Sequence, residues 1–291
     1  MTHPHLVVVP KPLDTVPRSV PLIDGIKASD SALDPGWAPI RRRLAAARSE
    51  HKATVAAVRQ ACAARAVTLS WVDDPSPERL AGATLIVAVG GDGTFLTAAR
   101  YAGRVPVIGV NSAPTTSIGH YCIANAESFG AALDGALAAI LRGDMGIELT
   151  RIRCEIGART LPFEGLNDVL FANRSPVSST RYALHIGDES ELHTSSGIWI
   201  STASGSSAAI YSAGGRHMAQ DDRRLQWRVR EPYNQGTALR LLGGLSAGPI
   251  EILSRSDKNA LFIDGQSEPY VVPFGQRCRL SIAPDPLYAF I

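Results

Sequence analysis

The apolar run Leu85-Ile86-Val87-Ala88-Val89 passes directly into Gly90-Gly91-Asp92-Gly93-Thr94, and this junction limits the possible folds more than any other stretch of the chain. A short Val/Ile-rich run bounded by glycine has the form of a strand buried on both faces, as parallel sheets require. Residues 95–101 then predict a helix, so the glycines occupy a strand-to-helix turn under the free N–H groups of a helix start. Such a start attracts anions. Glycine also lets the backbone approach phosphate oxygens with no Cβ in between. Asp92 is the unusual member, because a carboxylate repels phosphate unless it holds a metal ion or takes a proton from an attacking hydroxyl. The same residues also read as a plain turn in which Asp92 or Thr94 caps the helix. No Gly-Lys-Ser/Thr follows and no Gly-x-Gly-x-x-Gly is present, which sets aside the two commonest nucleotide-binding loops.

Around this junction the first half of the chain alternates between strand and helix patterns. Residues 6–9 predict a first strand, and 10–39 a long proline-rich connection. Residues 41–66 predict a helix, 68–72 a strand, and 105–110 a further strand ending at Asn111. Strand, helix and strand then form a βαβ unit of a parallel sheet, with ligands expected at the carboxyl ends of the strands. Phe129, Leu133, Leu137 and Leu141 recur every fourth residue on a helix expected over 127–142, with Gly143 as its C-terminal stop. Beyond it the pattern changes to short runs between turns: 152–156, 166–171, 183–186, 198–202, 250–253, 260–263, 270–272 and 277–282. That spacing predicts an all-β region, a sandwich. The expected architecture is therefore an α/β Rossmann-like domain over 1–143 and a β-sandwich domain over 144–291, the last strands being free to pack back on the first domain.

With 291 residues, 45% apolar and 19% charged, the chain can bury the core of one large or two medium domains. A net charge of +2 supplies no broad basic field, so no nucleic-acid partner is expected, and Arg41-Arg42-Arg43 reads as a solvated helix face. Cys62, Cys122, Cys154 and Cys278 are far apart, with no Cys-x-x-Cys pair. That disfavours a zinc site and a disulfide framework and predicts reduced thiols, with no protein-held metal. No apolar run approaches the roughly 18 residues of a membrane span, and the N-terminus lacks a leader pattern, so the expected location is cytoplasmic.

Three further constellations complete the reading. Asn167-Asp168 opens an apolar run, where such pairs commonly serve as turn formers. The stretch Ser201-Thr202-Ala203-Ser204-Gly205-Ser206-Ser207-Ala208-Ala209 precedes a helix expected to reach Ser212-Ala213-Gly214-Gly215. Its small residues permit close approach of a flat or anionic ligand and its hydroxyls can bond a base or ribose, although an N-cap cluster gives the same pattern. Asp264-Gly265-Gln266 by itself is a tight hairpin turn.

In this order and spacing, Gly90-Gly91-Asp92-Gly93-Thr94, Asn111, Asn167-Asp168, the Ser/Gly-rich run ending in Gly214-Gly215, and Asp264-Gly265-Gln266 resemble the NAD kinase family, from about residue 80 to the C-terminus. Gly109-Val110-Asn111, Gly119-His120-Tyr121-Cys122 and Ser195-Ser196-Gly197 look most like the mitochondrial NAD kinases and plant NADH kinases. The resemblance implies a Rossmann-like domain and a β-sandwich domain with the dinucleotide between them, assembled as a homodimer or homotetramer. It also implies phosphorylation of the adenosine-ribose 2′-hydroxyl of NAD or NADH by ATP or polyphosphate with Mg²⁺. By the same resemblance Asp92 acts on that hydroxyl, while Gly90, Gly91, Gly93 and Thr94 cradle phosphates. Asn111 and His120 border the adenine, Asn167 recognises it and Asp168 holds ribose hydroxyls. Ser204, Ser207, Ala208 and Ser212 line the nucleoside pockets. Ala209 stands where the family commonly has an aromatic, Ser196 where it has an acid, and Asp168 where Glu is more frequent; the first two lie on the nicotinamide side and leave NAD or NADH open. A lipid kinase sharing the glycine turn and a dinucleotide sensor without turnover are the alternatives.

Overall fold

The computed structural model describes residues 3–12, 37–233, 236, 238–266 and 268–291, so most of the proline-rich connection expected over 10–39 lies outside the described residues. The chain folds as two units, Met1–Ile147 with Tyr288–Ile291, and Glu148–Leu287. The division thus falls a few residues beyond the expected 143, and the last residues rejoin the first unit.

The first unit runs β1 (His5–Pro10), α1 (Trp37–Ala63), β2 (Thr68–Trp71), α2 (Pro77–Leu80), β3 (Leu85–Gly90), α3 (Asp92–Ala99), β4 (Val107–Asn111), β5 (Cys122–Ala124) and α4 (Phe129–Leu141), after which β6 (Ile147–Leu149) leads onward. The last strand of the chain is β19 (Leu287–Phe290). β1 pairs in parallel with β2 and β3, and β3 with β4. The far edge of β4 is shared: Val107 and Ile108 pair with Ala289 and Phe290 of β19, whereas Gly109 and Val110 pair with β5. Every residue of β3 and β4 is buried, as the continuous apolar run required. Leu6, Val8, Val87 and Val89 of the sheet pack with Val58 of α1 and with Phe129 and Leu133 of α4.

Two helices depart from expectation for simple reasons. α1 starts at Trp37 rather than 41 because Pro39 falls in the first turn, where a backbone N–H has no helical partner in any case. In α4, Leu141 is 83% exposed while Ala136 and Ala139 are buried. A four-residue repeat overshoots one helical turn by about 40° per step, so by the third step the side chain has rotated about 120° away from Phe129. Gly143 ends that helix at φ +82, as expected of a C-terminal glycine.

The second unit contains β7 (Ile152–Ile156), β8 (Arg159–Thr160), β9 (Asp168–Asn173), β10 (Thr180–Ile186), β11 (Glu189–Ser195), β12 (Ile198–Ser201), β13 (Leu225–Val229), β14 (Gly243–Ser246), β15 (Ile250–Ser254), β16 (Asn259–Ile263), β17 (Tyr270–Val272) and β18 (Arg277–Ile282). They form two six-stranded sheets, ordered β11-β10-β15-β18-β7-β8 and β14-β13-β12-β9-β16-β17. Among the described residues the strand pairings within them are antiparallel. The two inner faces meet through side chains such as Phe171 and Tyr182, whose rings lie edge to face at 5.6 Å. Between β12 and β13 the expected helix is reduced to a 3₁₀ turn (Ser204–Ser207) and the single turn α5 (Ala209–Ser212). Cys62, Cys154 and Cys278 are buried free thiols and Cys122 a half-buried one. Among the described residues no helix is long and apolar enough to cross a membrane.

Candidate active site

In the first unit the glycine-rich junction is the start of a helix rather than a separate loop. Gly91 is extended and caps α3, its carbonyl accepting the N–H of Thr94 at 3.0 Å and of Phe95 at 3.1 Å. Asp92 and Gly93 thereby become the first two helical residues, whose N–H groups no helical carbonyl can reach. Each glycine has its own reason. A Cβ on Gly90 would lie 2.1 Å from Thr94 Oγ1, so the threonine folds over that glycine. On Gly91 it would meet Ser117 Oγ at 2.8 Å, whereas on Gly93 it would meet nothing within 4 Å. Gly93 therefore faces open space, the place where a ligand atom can approach the backbone.

The half-buried Asp92 receives the Tyr121 N–H on Oδ1 at 2.9 Å, and its Oδ2 has no hydrogen bond among the described residues. Two motifs conspire to deliver that N–H. Gly109 lets the 121–122 backbone lie against β4, since a Cβ there would sit 2.1 Å from the Tyr121 carbonyl oxygen, and the Tyr121 ring stacks on Phe95 at 4.8 Å. Burial, and secondarily the Asp92 charge, push the Cys122 thiol up to about 12, so it stays protonated beside the carboxylate. Asn111 is buried and its amide is committed to the following loop: Nδ2 donates to the Ser117 and Ile118 carbonyls at 2.9 and 3.2 Å, and Oδ1 accepts from the Ala113 N–H at 3.1 Å. His120 is exposed beside them. A cavity of about 920 Å³ opens in this unit against Gly90, Gly91, Asp92, Gly93 and Thr94.

The second unit gathers the other group of expected residues. Asp168 opens β9 and is 7% exposed. Its carboxyl is pushed up to about 7, first by burial and then by the neighbouring charge of Asp264. Asp264 itself stands at φ +48, in the left-handed region, and its carboxylate accepts the backbone N–H groups of Leu166 at 2.8 Å, Asn167 at 2.8 Å and Asp168 at 3.2 Å. The Asp-Gly turn is thus more than a hairpin, because it clamps the Asn-Asp pair across the sheet. From the other side Ser201 Oγ donates to the Asn167 carbonyl at 3.0 Å and Thr202 Oγ1 to the Leu166 carbonyl at 2.6 Å. Gly205 lies so close to Asn167 that a Cβ would fall 2.1 Å from its carbonyl oxygen. This contact brings Ser204 and Ser207 of the 3₁₀ turn, and with them Ala208 and Ser212, to the neighbourhood of Asn167. Ser207 and Ser212 are exposed, and Ser204 and Ala208 half-buried. Tyr211 is exposed and its ring lies on that of His217 at 4.4 Å.

Asp264, Thr202, Ser117 and the Tyr121 N–H were not singled out as site groups from sequence. For Asp264 a signal existed, since a carboxylate beside glycine in a motif of fixed spacing fits a clamp as well as a turn. Among the described residues no three His, Cys, Asp or Glu side chains come together to hold a metal.

Comparison with known proteins matches residues 40–141 to the family described as ATP-NAD kinase N-terminal domain. The chain is 32% identical over 222 residues to a protein named probable NADH kinase of Oryza sativa subsp. japonica, covering 68% of this chain and 67% of that protein. It is 32% identical over 232 residues to the NADH kinase of Arabidopsis thaliana, covering 71% and 72%. Among solved structures, an NAD kinase from Archaeoglobus fulgidus in complex with ATP shares the fold with a TM-score of 0.67 at 21% identity, covering 97% of this chain and 92% of that one. Yeast NADH kinase complexed with NADH does so with a TM-score of 0.65 at 15% identity, covering 99% and 83%.

Proposed function

This chain belongs to the NAD kinase family and phosphorylates NAD or NADH; within that reaction we propose that Asp92 is the group that acts on the 2′-hydroxyl of the adenosine ribose. The observation that carries the proposal is its asymmetric setting, with Oδ1 held by the Tyr121 N–H and Oδ2 left for a substrate hydroxyl. Asp92 accepts the hydroxyl proton, the ribose oxygen attacks the γ-phosphorus of ATP, the bond from that phosphorus to the bridging oxygen breaks, and ADP departs with the electron pair. Backbone N–H groups at the start of α3, with Gly93 leaving room beside them, suit the developing charge on the transferred group. Mg²⁺ enters with the nucleotide, as its counter-ion.

The remaining roles rest on the family resemblance and on the local geometry that supports each. Asn167 recognises adenine and Asp168 holds ribose hydroxyls, both fixed in place by the Asp264 clamp. Ser204, Ser207, Ala208 and Ser212 line the nucleoside pockets. His120 borders the adenine side, and Asn111 contributes by pinning the loop that carries Ser117. The same resemblance supports a homodimer or homotetramer. The lipid-kinase and sensor readings find no support in the relatives named above, which are NAD or NADH kinases.

The test is an end-point assay with Mg²⁺ that crosses NAD and NADH against ATP and polyphosphate, run beside Asp92→Asn. The substitution is expected to lower kcat about 10²- to 10⁴-fold with dinucleotide affinity little changed. Undiminished turnover in Asp92→Asn removes Asp92 from the reaction.

A further inference from the structure

His51 of α1 is 6% exposed, and the transfer proposed for Asp92 makes no use of it. It stands by the end of β3, where the strand gives way to the glycine turn and where the two flanking strands hold the backbone from opposite sides. The Val89 carbonyl accepts the N–H of Lys11, just beyond β1, at 2.7 Å, and the Gly90 carbonyl accepts the N–H of Ser112, just beyond β4, at 2.8 Å. The imidazole reaches both residues: its Nδ1 lies 2.8 Å from Ser112 Oγ, and the ring also donates to the Lys11 backbone. One side chain thus joins the two groups that fix the last carbonyls before Gly91 and Asp92. We propose that His51 is a positioning residue of the phosphoryl transfer: as a neutral imidazole it accepts the Ser112 hydroxyl, ties Lys11 to Ser112 across β3, and so sets where the glycine turn presents Asp92. The inference rests on the reading of Asp92 above and adds to it the group that holds its turn.

The arrangement calls for this side chain in particular. A buried imidazole is unfavourable unless its nitrogens find partners, and here the partners belong to the two strands on either side of β3. An aliphatic residue would fill the same volume without that requirement, but it would leave the hydroxyl of Ser112, which is 2% exposed, without its partner. Thr54, one helical turn on, is no substitute. Its Oγ1 lies 2.9 Å from the Glu50 carbonyl and 3.4 Å from that of Ser112, so its hydrogen goes first to its own helix. The hold on the Ser112 side chain therefore comes from His51.

Protonation is how such a strut fails. The neutral ring has one N–H, which serves Lys11, and a lone pair on Nδ1, which takes the Ser112 hydrogen. A second proton makes Nδ1 a donor, forces the Ser112 hydroxyl round and sets a positive charge beside Lys11. The surroundings resist that charge. Lys11, Arg43 and Arg48 line the same cavity as His51, with Asp73 and Asp92 as its carboxylates, and Glu50 of α1 is engaged by Thr115. Burial, followed by the Lys11 charge, lowers the His51 pKa against the opposing pull of the bond to the Lys11 backbone, so the ring is neutral at and above the ordinary histidine value of 6.5.

The experiment is steady-state phosphorylation of NAD by the full chain, with ATP and Mg²⁺, from about pH 5 to about pH 9. His51→Leu and Ser112→Ala are each expected to lower kcat about tenfold or more with the KM for NAD within about threefold, because a small displacement of a reacting group is felt in rate before binding. His51→Asn offers Ser112 an amide oxygen that does not titrate. It is expected to recover most of kcat near neutrality and to hold it at acid pH, where the wild type declines below the ordinary histidine value of 6.5. Lys52→Gln, the exposed neighbour on α1, is expected to match the wild type throughout. Circular dichroism confirms folding, and Ser112→Ala, which removes a single oxygen, decides the matter should His51→Leu fail to fold. Wild-type kcat in folded Ser112→Ala, or superimposable pH profiles for the wild type and His51→Asn, overturns the proposal. Asp92→Asn in the same series keeps the two readings apart. Full turnover there with Ser112→Ala impaired sinks the role of Asp92 and leaves His51 as the holder of the turn, whereas an inactive Asp92→Asn beside a fully active Ser112→Ala does the reverse.

Discussion

The two functional regions hold their carboxylates in opposite ways. Asp92 stands half-buried at the open start of a helix with one backbone donor on it, whereas Asp168 is buried beneath a second carboxylate that is itself bound by three backbone N–H groups. The contrast suits the roles proposed for them, since a group proposed to take a proton needs a free oxygen and easy access, and one proposed to recognise a shape needs to be immobile. The first region accordingly holds one glycine, Gly93, that leaves space, whereas Gly205 of the second marks a place where space has been removed. Gly93 and Gly205 look equivalent in sequence, yet a Cβ meets nothing at one and a carbonyl oxygen at 2.1 Å at the other.

Substitutions can break that contrast, and the largest effect is expected from Asp264→Ala. It strips three N–H groups of their acceptor and should cost about 3 kcal/mol or more, read as a drop in urea midpoint, with dinucleotide affinity falling alongside. Gly205→Ala comes next, at about 1–3 kcal/mol, because backbone cannot yield as a flexible side chain does. The same melts should show both losses, and a stable Gly205→Ala protein that still binds NAD would refute the close-packed picture of the second region.

A pH series sharpens the comparison further. With its carboxyl near 7 in the folded state against an ordinary 3.8, Asp168 keeps a proton that the unfolded chain releases. Its contribution is therefore full below about pH 4 and is lost as pH rises through about 7. Asp168→Asn should flatten this slope and be more stable than the parent at pH 8 by on the order of 1 kcal/mol, measured by thermal melts across pH 4–9. The smallest stability change is expected at Gly93→Ala, within about 0.5 kcal/mol, while NAD phosphorylation declines because the methyl group occupies the approach to the backbone. Equal turnover in that variant would show that no ligand atom passes there.

Legibility in the sequence followed the range of the interactions. The central parallel strands β1, β3 and β4 announced themselves because they are almost wholly buried in unbroken apolar runs, as in Leu85–Gly90, whereas the short parallel strands β5 and β19 were not expected. β11 was missed since Glu189, Ser190 and Leu192 face solvent and its buried positions are His193 and Ser195. β14 was missed because Gly243 and Gly244 carry no pattern. β13 did carry one, Leu225-Gln226-Trp227-Arg228-Val229, but its flanking arginines hid the alternation. At the candidate site, the place of Asp92 at the end of a buried strand and the start of a helix was readable from local sequence. The clamp by Asp264 joins residues nearly a hundred positions apart, so the Asp-Gly turn could be read in a short window but its partners Leu166, Asn167 and Asp168 could not. Arg43 read correctly as exposed, though not as facing a cavity.

The divided edge of β4 has a consequence for how this protein is made. The half of β4 nearest Asp92 finds its neighbour, β5, within a few residues, so a nascent chain can finish that part of the sheet as soon as it leaves the ribosome. The opposite half waits for β19, which is translated only after the entire second unit. Until then Val107 and Ile108 present an unpaired apolar edge, a standing invitation to association with other chains. The end of the first unit that carries Asp92 is thus assembled early, and its seal arrives last.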